Sequence, residues 1–319
     1  MFFVRKRSAN AAAATRCFLC ESVVLTQRQQ HDVGHSVIAT GRGVLRLSSS
    51  ISAGVQTPAE RSEKGNKERF EHYMKHVTIM GVPFLHSNQQ EFVDLLVNRI
   101  EHEEKTFVIT ANPEVVMQAN ESPTVMNYLK QATYICADGI GVVKAAQILG
   151  DPLPERVTGY DTMVRLLEVG NKKRFKIYLL GAQNETLEKT IKNINQTYPN
   201  VDIVGYHDGF FDWNKNDIAN EIAASKPDLV FVALGVPRQE KWITENLDQF
   251  SKGVFMGVGG SFDVIAGTVK RAPVIWQKLN LEWLYRLLRQ PSRFGRMLVL
   301  PRFALKVFAL KIKGQGAPK

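Results

Sequence analysis

The sequence predicts an α/β fold with mostly parallel sheets and a basic helical C-terminal appendage. Short apolar runs at 107–110 (FVIT), 134–137 (YICA) and 228–234 (DLVFVAL) each end in polar or glycine residues and are followed by a helix-like pattern. Runs of that length, bounded by turn signals, suit strands buried on both faces of a parallel sheet. The formal net charge of +10 is also unevenly placed. Residues 270–319 carry twelve Lys/Arg against one acidic residue, Glu282, and residues 74–269 are acidic on balance. Basicity confined to one end is a local device for an anionic partner, not a property of the fold.

Taken in order, residues 1–73 differ from the rest. Four alanines at 11–14, three serines at 48–50 and scattered arginines give a transit-peptide-like composition. The alternative, which we favour, is an unstructured or non-native extension with Met74 opening the domain, because the first strand-like stretch begins at 76. A strand at 76–80 precedes Gly81-Val82-Pro83-Phe84, and Phe92, Leu95, Leu96 and Ile100 predict a helix over 88–102. A strand at 106–110 leads to a helix opening at Pro113, a natural first-turn residue. The strand at 134–137 leads to Asp138 and a helix through 149. The loop 150–154 then runs past Arg156 to Gly159-Tyr160-Asp161 and a helix to 169. The second half repeats the alternation: strands at 176–180, 201–204, 228–234 and 253–258, with helices to 198 and over 217–225. Three of these strands end in glycine, at Gly181, Gly235 and Gly259-Gly260, which describes a Rossmann-like nucleotide-binding half.

In an open α/β sheet, ligands bind beyond the carboxyl ends of the strands. Thr110, Asn112 and Glu114 follow one strand end and Asp138 stands directly after another, so these four make a candidate site. Gly139-Ile140-Gly141 lets the backbone turn sharply and leaves Asp138 either facing a cleft or serving as the N-cap of the next helix. Gln239 and Asp263 accompany the second and third glycine turns. Those turns offer backbone N–H groups to a phosphate, or simply permit tight strand-to-helix connections. Near the C-terminus, Arg286, Arg289, Arg293 and Arg296 recur at three- and four-residue spacing and share one helical face, accompanied by Phe294, Met297, Leu298, Phe303 and Phe308. Guanidinium forks suit phosphate, and a basic, aromatic-rich amphipathic helix suits an anionic membrane surface. A solvated basic face is the plain alternative.

Other chemistries have little support. The glycines at 257–260 do not complete GxGxxG, and no glycine-rich loop ends in Gly-Lys-Ser/Thr. The seven histidines form no HxH pair and no Asp-x-Asp occurs, so no metal or cofactor is expected. The lone Cys17/Cys20 pair and Cys136 give no disulfide framework, which fits a reducing, cytoplasmic setting. No Gly-x-Ser-x-Gly elbow appears, so a single carboxylate base fits better than a covalent nucleophile. No nucleic-acid reading motif accompanies the basic end, and no run of about 18 apolar residues exists to span a membrane.

Seven segments in order carry a family resemblance: TANPE (110–114), ADGIGVV (137–143), RVTGYD (156–161), LLGAQ (179–183), FVALGVPRQEKW (231–242), GVGGSFDVIAGTVKRAP (257–273) and LNLEWLYRLLRQPSRFGRM (279–297). With these the chain resembles the WecG/TagA/CpsF glycosyltransferases, most nearly the TagA-type enzymes of wall teichoic acid linkage-unit synthesis. The resemblance implies inverting, metal-independent transfer of N-acetylmannosamine from its UDP donor to the 4-hydroxyl of N-acetylglucosamine on undecaprenyl diphosphate, at the inner membrane face. It implies Asp138 as general base, Thr110 and Asn112 in the same pocket, and Arg156 with the C-terminal arginines near the lipid diphosphate and the departing UDP. It also implies that the appendage closes over the pocket, with a homo-oligomer interface lost in the process. The expected organisation is therefore an extension (1–73), an acceptor half (about 74–170), a nucleotide-sugar half (about 171–270) and a membrane-associating appendage (271–319). A relative using another UDP-sugar, a non-catalytic binder of membranes or anionic polymers, and a nicotinamide dehydrogenase are the competing readings.

Overall fold

The computed structural model describes residues 75–213, 215, 217–291 and 294–314; the readings made above for residues 1–73 lie outside the described residues. The chain opens with β1 (His76–Ile79) and β2 (Val82–Leu85), an antiparallel hairpin with Ile79 paired to Val82. The sequence predicted one strand here. Met80 and Gly81 both take positive φ (51° and 81°), the backbone of a tight two-residue turn that matches strand twist. Methionine at such a position gives no turn signal in the sequence.

Helix α1 (Gln89–Glu101) starts from a reciprocal capping box: the Glu91 N–H donates to the Asn88 side chain, and the Asn88 N–H donates to the Glu91 carboxylate. Then come β3 (Thr106–Ala111), α2 (Pro113–Glu121), α3 (Pro123–Gln131), β4 (Tyr134–Ala137), α4 (Ile140–Leu149) and α5 (Gly159–Lys173). The second half supplies β5 (Lys176–Gly181), α6 (Asn184–Thr197), β6 (Asp202–His207), α7 (Asp217–Ser225), β7 (Leu229–Ala233), α8 (Arg238–Asn246), β8 (Val254–Gly257) and the short α9 (Ser261–Ile265). The C-terminal segment consists of α10 (Val274–Lys278), α11 (Glu282–Arg289), α12 (Phe294–Met297) and α13 (Val299–Ile312).

Six strands form one parallel sheet in the order β4-β3-β8-β7-β5-β6. β8 lies between β3 and β7, so strands from both halves of the sequence share one sheet. All five residues of β7 and all four of β8 are buried, as central parallel strands require. Alternate strand residues enter opposite layers. Ile109, Ile135, Tyr178, Leu180, Val230 and Phe255 pack with α2, α3, α4, α7 and α8. Val108, Cys136, Ile177, Leu179, Phe231 and Met256 pack with α1, α5, α6 and α9. The result is a three-layer α/β/α architecture. Helix α13 belongs to the first layer: Phe303 and Val307 are buried in the same cluster as Val142, Ala145 and Leu149 of α4.

Candidate functional site

The site lies beyond the carboxyl ends of β3, β4 and β8. β4 stops at Ala137, and the Asp138 N–H still donates to the Ala111 carbonyl across the ladder (3.0 Å). Gly139, at φ 111°, is the residue that caps α4. The Asp138 carboxylate is therefore not spent on the helix, and the N-cap alternative falls away. Instead it faces two cavities. One, of about 390 Å³, runs under the C-terminal helices and is mostly apolar, with Ile148, Trp283, Phe303 and Val307 in its walls. The other, of about 240 Å³, lies under the glycine turn of β8 and includes Thr110, Tyr160, Gln239, Gly259, Gly260, Asp263 and Arg289. Asn112, Asp138, Glu282 and Arg286 line both.

Burial raises the Asp138 pKa from its ordinary value, opposed by the Arg286 and Arg156 guanidinium charges and by a hydrogen bond from the Gly159 N–H; Glu282 pushes it up further. A carboxyl group held in this way is a better proton acceptor than a solvated aspartate. Thr110 and Asn112 flank it. The Thr110 hydroxyl donates to the Gly257 carbonyl at 3.4 Å, and the Asn112 side chain caps α2 by accepting from the Val115 N–H at 3.0 Å. A side chain at Gly159 would press on Thr110, with a Cβ only 3.0 Å from its hydroxyl oxygen. The close approach of α5 to β3 therefore depends on glycine.

Gln239 ties the turns together. Its carbonyl oxygen accepts from the Gly259 N–H at 3.2 Å, its own N–H donates to the Gly235 carbonyl at 2.9 Å, and its amide nitrogen donates to Glu240 at 2.8 Å. Gly257 leaves room for that amide, because a Cβ there would sit 2.5 Å from its nitrogen. Glu240 is buried, its second carboxylate oxygen has no hydrogen-bond partner, and desolvation pushes its pKa up to about 7. Gly181 and Gly235 end β5 and follow β7 but are not among the residues lining either cavity. At Gly181 the reason for glycine is packing: a Cβ would meet the Ala233 backbone at 2.5 Å.

The basic residues are less free than their spacing suggests. Arg156 and Arg286 both donate to Glu282, at 3.3 and 2.5 Å. Arg271 makes a two-pronged contact with Asp161 (2.6 and 2.8 Å) and lies over the Tyr160 ring, with its Nε 4.0 Å from Glu282. That pairing and the Thr158 hydroxyl hold the Asp161 carboxyl below its ordinary range against the cost of burial. Arg293 lies outside the described residues; Arg296 falls within α12, where only its backbone is described. Glu282, Arg271, Asp161 and Glu240 were not singled out from sequence. The one available signal was Glu282's position as the lone acid among twelve basic residues.

Residues 77–317 match the family described as the glycosyl transferase WecG/TagA/CpsF family. A Bacillus subtilis (strain 168) protein named N-acetylglucosaminyldiphosphoundecaprenol N-acetyl-beta-D-mannosaminyltransferase is 41% identical over 235 residues, covering 73% of this chain and 91% of the relative. A Staphylococcus aureus (strain MW2) protein of the same name is 39% identical over 239 residues, covering 74% of this chain and 94% of the relative.

Proposed function

This chain belongs to the WecG/TagA/CpsF glycosyltransferase family, and from that premise we propose that it transfers N-acetylmannosamine from UDP-N-acetylmannosamine to the 4-hydroxyl of N-acetylglucosamine on undecaprenyl diphosphate. The observation that carries this reading is Asp138 standing in the wall common to a cavity of mixed polar and apolar lining and a mostly apolar one. A reaction between a nucleotide sugar and a lipid-linked sugar needs both surroundings to meet at one base.

In this reading Asp138 takes the proton from the acceptor hydroxyl, whose oxygen attacks the anomeric carbon from the face opposite the UDP. The bond from that carbon to the diphosphate oxygen breaks with inversion. The charge left on the departing diphosphate is met by Arg286, Arg289 and the N–H groups of the Gly259-Gly260 turn, as preorganised donors do for a developing anion. Gln239 and Asp263 belong to this donor side, and Gly181 and Gly235 shape the turns behind it. Thr110, Asn112 and Arg156 serve the acceptor side.

The C-terminal segment also supplies the membrane contact in this proposal. Val274, Ile275, Leu279, Leu288, Phe294, Leu305, Phe308 and Ile312 are all exposed, interspersed with Lys278, Arg289, Arg302, Lys306 and Lys311. An apolar face with basic flanks fits the anionic inner surface of the cell membrane. Among the described residues no helix is long and apolar enough to cross a membrane.

The test is incubation with a panel of UDP-sugars and a short-chain GlcNAc-diphosphoprenyl acceptor, with and without chelator. The reading expects a β-linked N-acetylmannosaminyl product in both cases. Consumption of a different donor would replace the sugar named here, and no product from any donor would remove the reaction.

A further inference from the structure

We propose that Glu282 is a positioning residue, a latch that docks the C-terminal segment onto the α/β core and seats Arg286 beside Asp138. Glu282 is only 8% exposed, and it is the sole buried residue of α11. Its carboxylate receives Arg286 from its own helix at 2.5 Å and Arg156 from the loop before α5 at 3.3 Å. The Arg271 guanidinium stands 4.0 Å away. Arg271 is itself anchored on α5 through Asp161, and its Nε, facing Glu282, has no hydrogen-bond partner. One carboxylate thus joins three guanidinium groups contributed by the core, by the chain leading into the segment and by the segment itself.

Helix α11 buries no apolar side chain fully: Trp283 and Leu288 are exposed, and Leu284, Tyr285 and Leu287 are only half-buried, with Tyr285 against Trp276. Its one fully buried anchor is the Glu282 charge. Removing one partner from a buried ion cluster leaves the remaining charges uncompensated. Without Glu282, Arg156, Arg271 and Arg286 would repel one another, α11 would leave its seat, and Arg286 would leave the wall that it shares with Asp138.

Two measurements on the full-length protein test this. The first is trypsin digestion without substrate, following cleavage after Arg286 and Arg289. Glu282→Gln keeps the side-chain shape and removes the charge, so its cleavage should be roughly tenfold faster or more, with the thermal midpoint of the core little changed. Glu282→Asp keeps the charge on a shorter stem and should fall between Gln and wild type. Wild-type cleavage rates in the Gln variant, or an Asp variant cleaved faster than it, would overturn the latch.

The second measurement rests on the reaction proposed above. Glu282→Gln should lower kcat/KM for the lipid-linked acceptor roughly 10²-fold, as expected when a buried charge pair is broken. In an Arg156→Gln background the same change should cost several-fold less, because the two residues act as a unit. Losses that simply multiply would overturn the proposal. Wild-type protein inactive towards every UDP-sugar would count against the reaction alone, and the digestion then decides the latch.

Discussion

Helices α5 and α11 lie on either side of the same ion cluster and are built in opposite ways. α5 buries Met163, Leu166 and Leu167 and turns Lys172 and Lys173 outward. α11 buries Glu282 and turns Leu288 outward, 64% exposed, while Trp283 edges the apolar cavity. Each apolar side chain that α5 buries stabilises its seat by about 1.5–3 kcal/mol. α11 has only the half-buried Leu284, Tyr285 and Leu287 to set against this. The difference separates a part of the chain seated by its apolar core from a part seated over the two cavities by a buried charge. α13 combines both kinds: Phe303 and Val307 face the core while Leu305, Phe308 and Ile312 face away.

The strongest way to break this comparison is to remove the segment. A chain ending at Leu279 loses Arg286 and Arg289 from the cleft, and transfer should fall by roughly 10²-fold or more, the scale of losing transition-state donors. A truncated chain with full activity would make the segment irrelevant to chemistry.

Within α13 the two faces should separate by stability. Phe303→Ala should cost about 3–5 kcal/mol in denaturant unfolding, as large-to-small core changes do. If the cost were near zero, α13 would not be part of the core.

A third experiment concerns the donor side. Glu240 has a folded pKa raised by burial to about 7, above the ordinary glutamate value. The folded state therefore holds the proton more tightly than the unfolded chain. Stability from this group is fully present below the unfolded pKa and is lost as pH rises through about 7, on the order of 3 kcal/mol. Glu240→Gln should flatten that slope in thermal melts between about pH 5 and 8, the range from just above the unfolded carboxyl's pKa to just above the raised one. An unchanged slope would place the titration elsewhere.

The smallest effect on folding belongs to the outward face. Leu305→Ser with Phe308→Ser should move stability by no more than about 0.5 kcal/mol per site, yet weaken binding to vesicles containing anionic lipid. Unchanged vesicle binding would leave the exposed apolar face without its proposed partner.

How much of this was legible in the sequence follows the same divide. Asp138, Thr110, Asn112 and the Gly259 turn were readable because a short apolar run, a polar residue and a glycine are local signals of a strand end. The meeting of two cavities at Asp138 was not, since it needs α11 and α13 folded back over α4. Glu240 reads in sequence as an ordinary acidic residue in a helix's first turn, and only tertiary packing strips its solvent. Glu282 is hidden for the same reason: its partners Arg156 and Arg271 lie 126 and 11 positions away in the chain. The β2 strand was missed because Met80 carries a backbone that its side chain does not advertise.

The central claim is that Asp138 removes the acceptor's proton where the two cavities meet, and Asp138→Asn tests it most directly, with transfer rate and UDP binding measured on the same preparation. The account predicts a rate lower by roughly 10²-fold or more, the scale of a lost general base, with UDP binding and the thermal midpoint essentially retained. Transfer at the wild-type rate by the asparagine variant would contradict it.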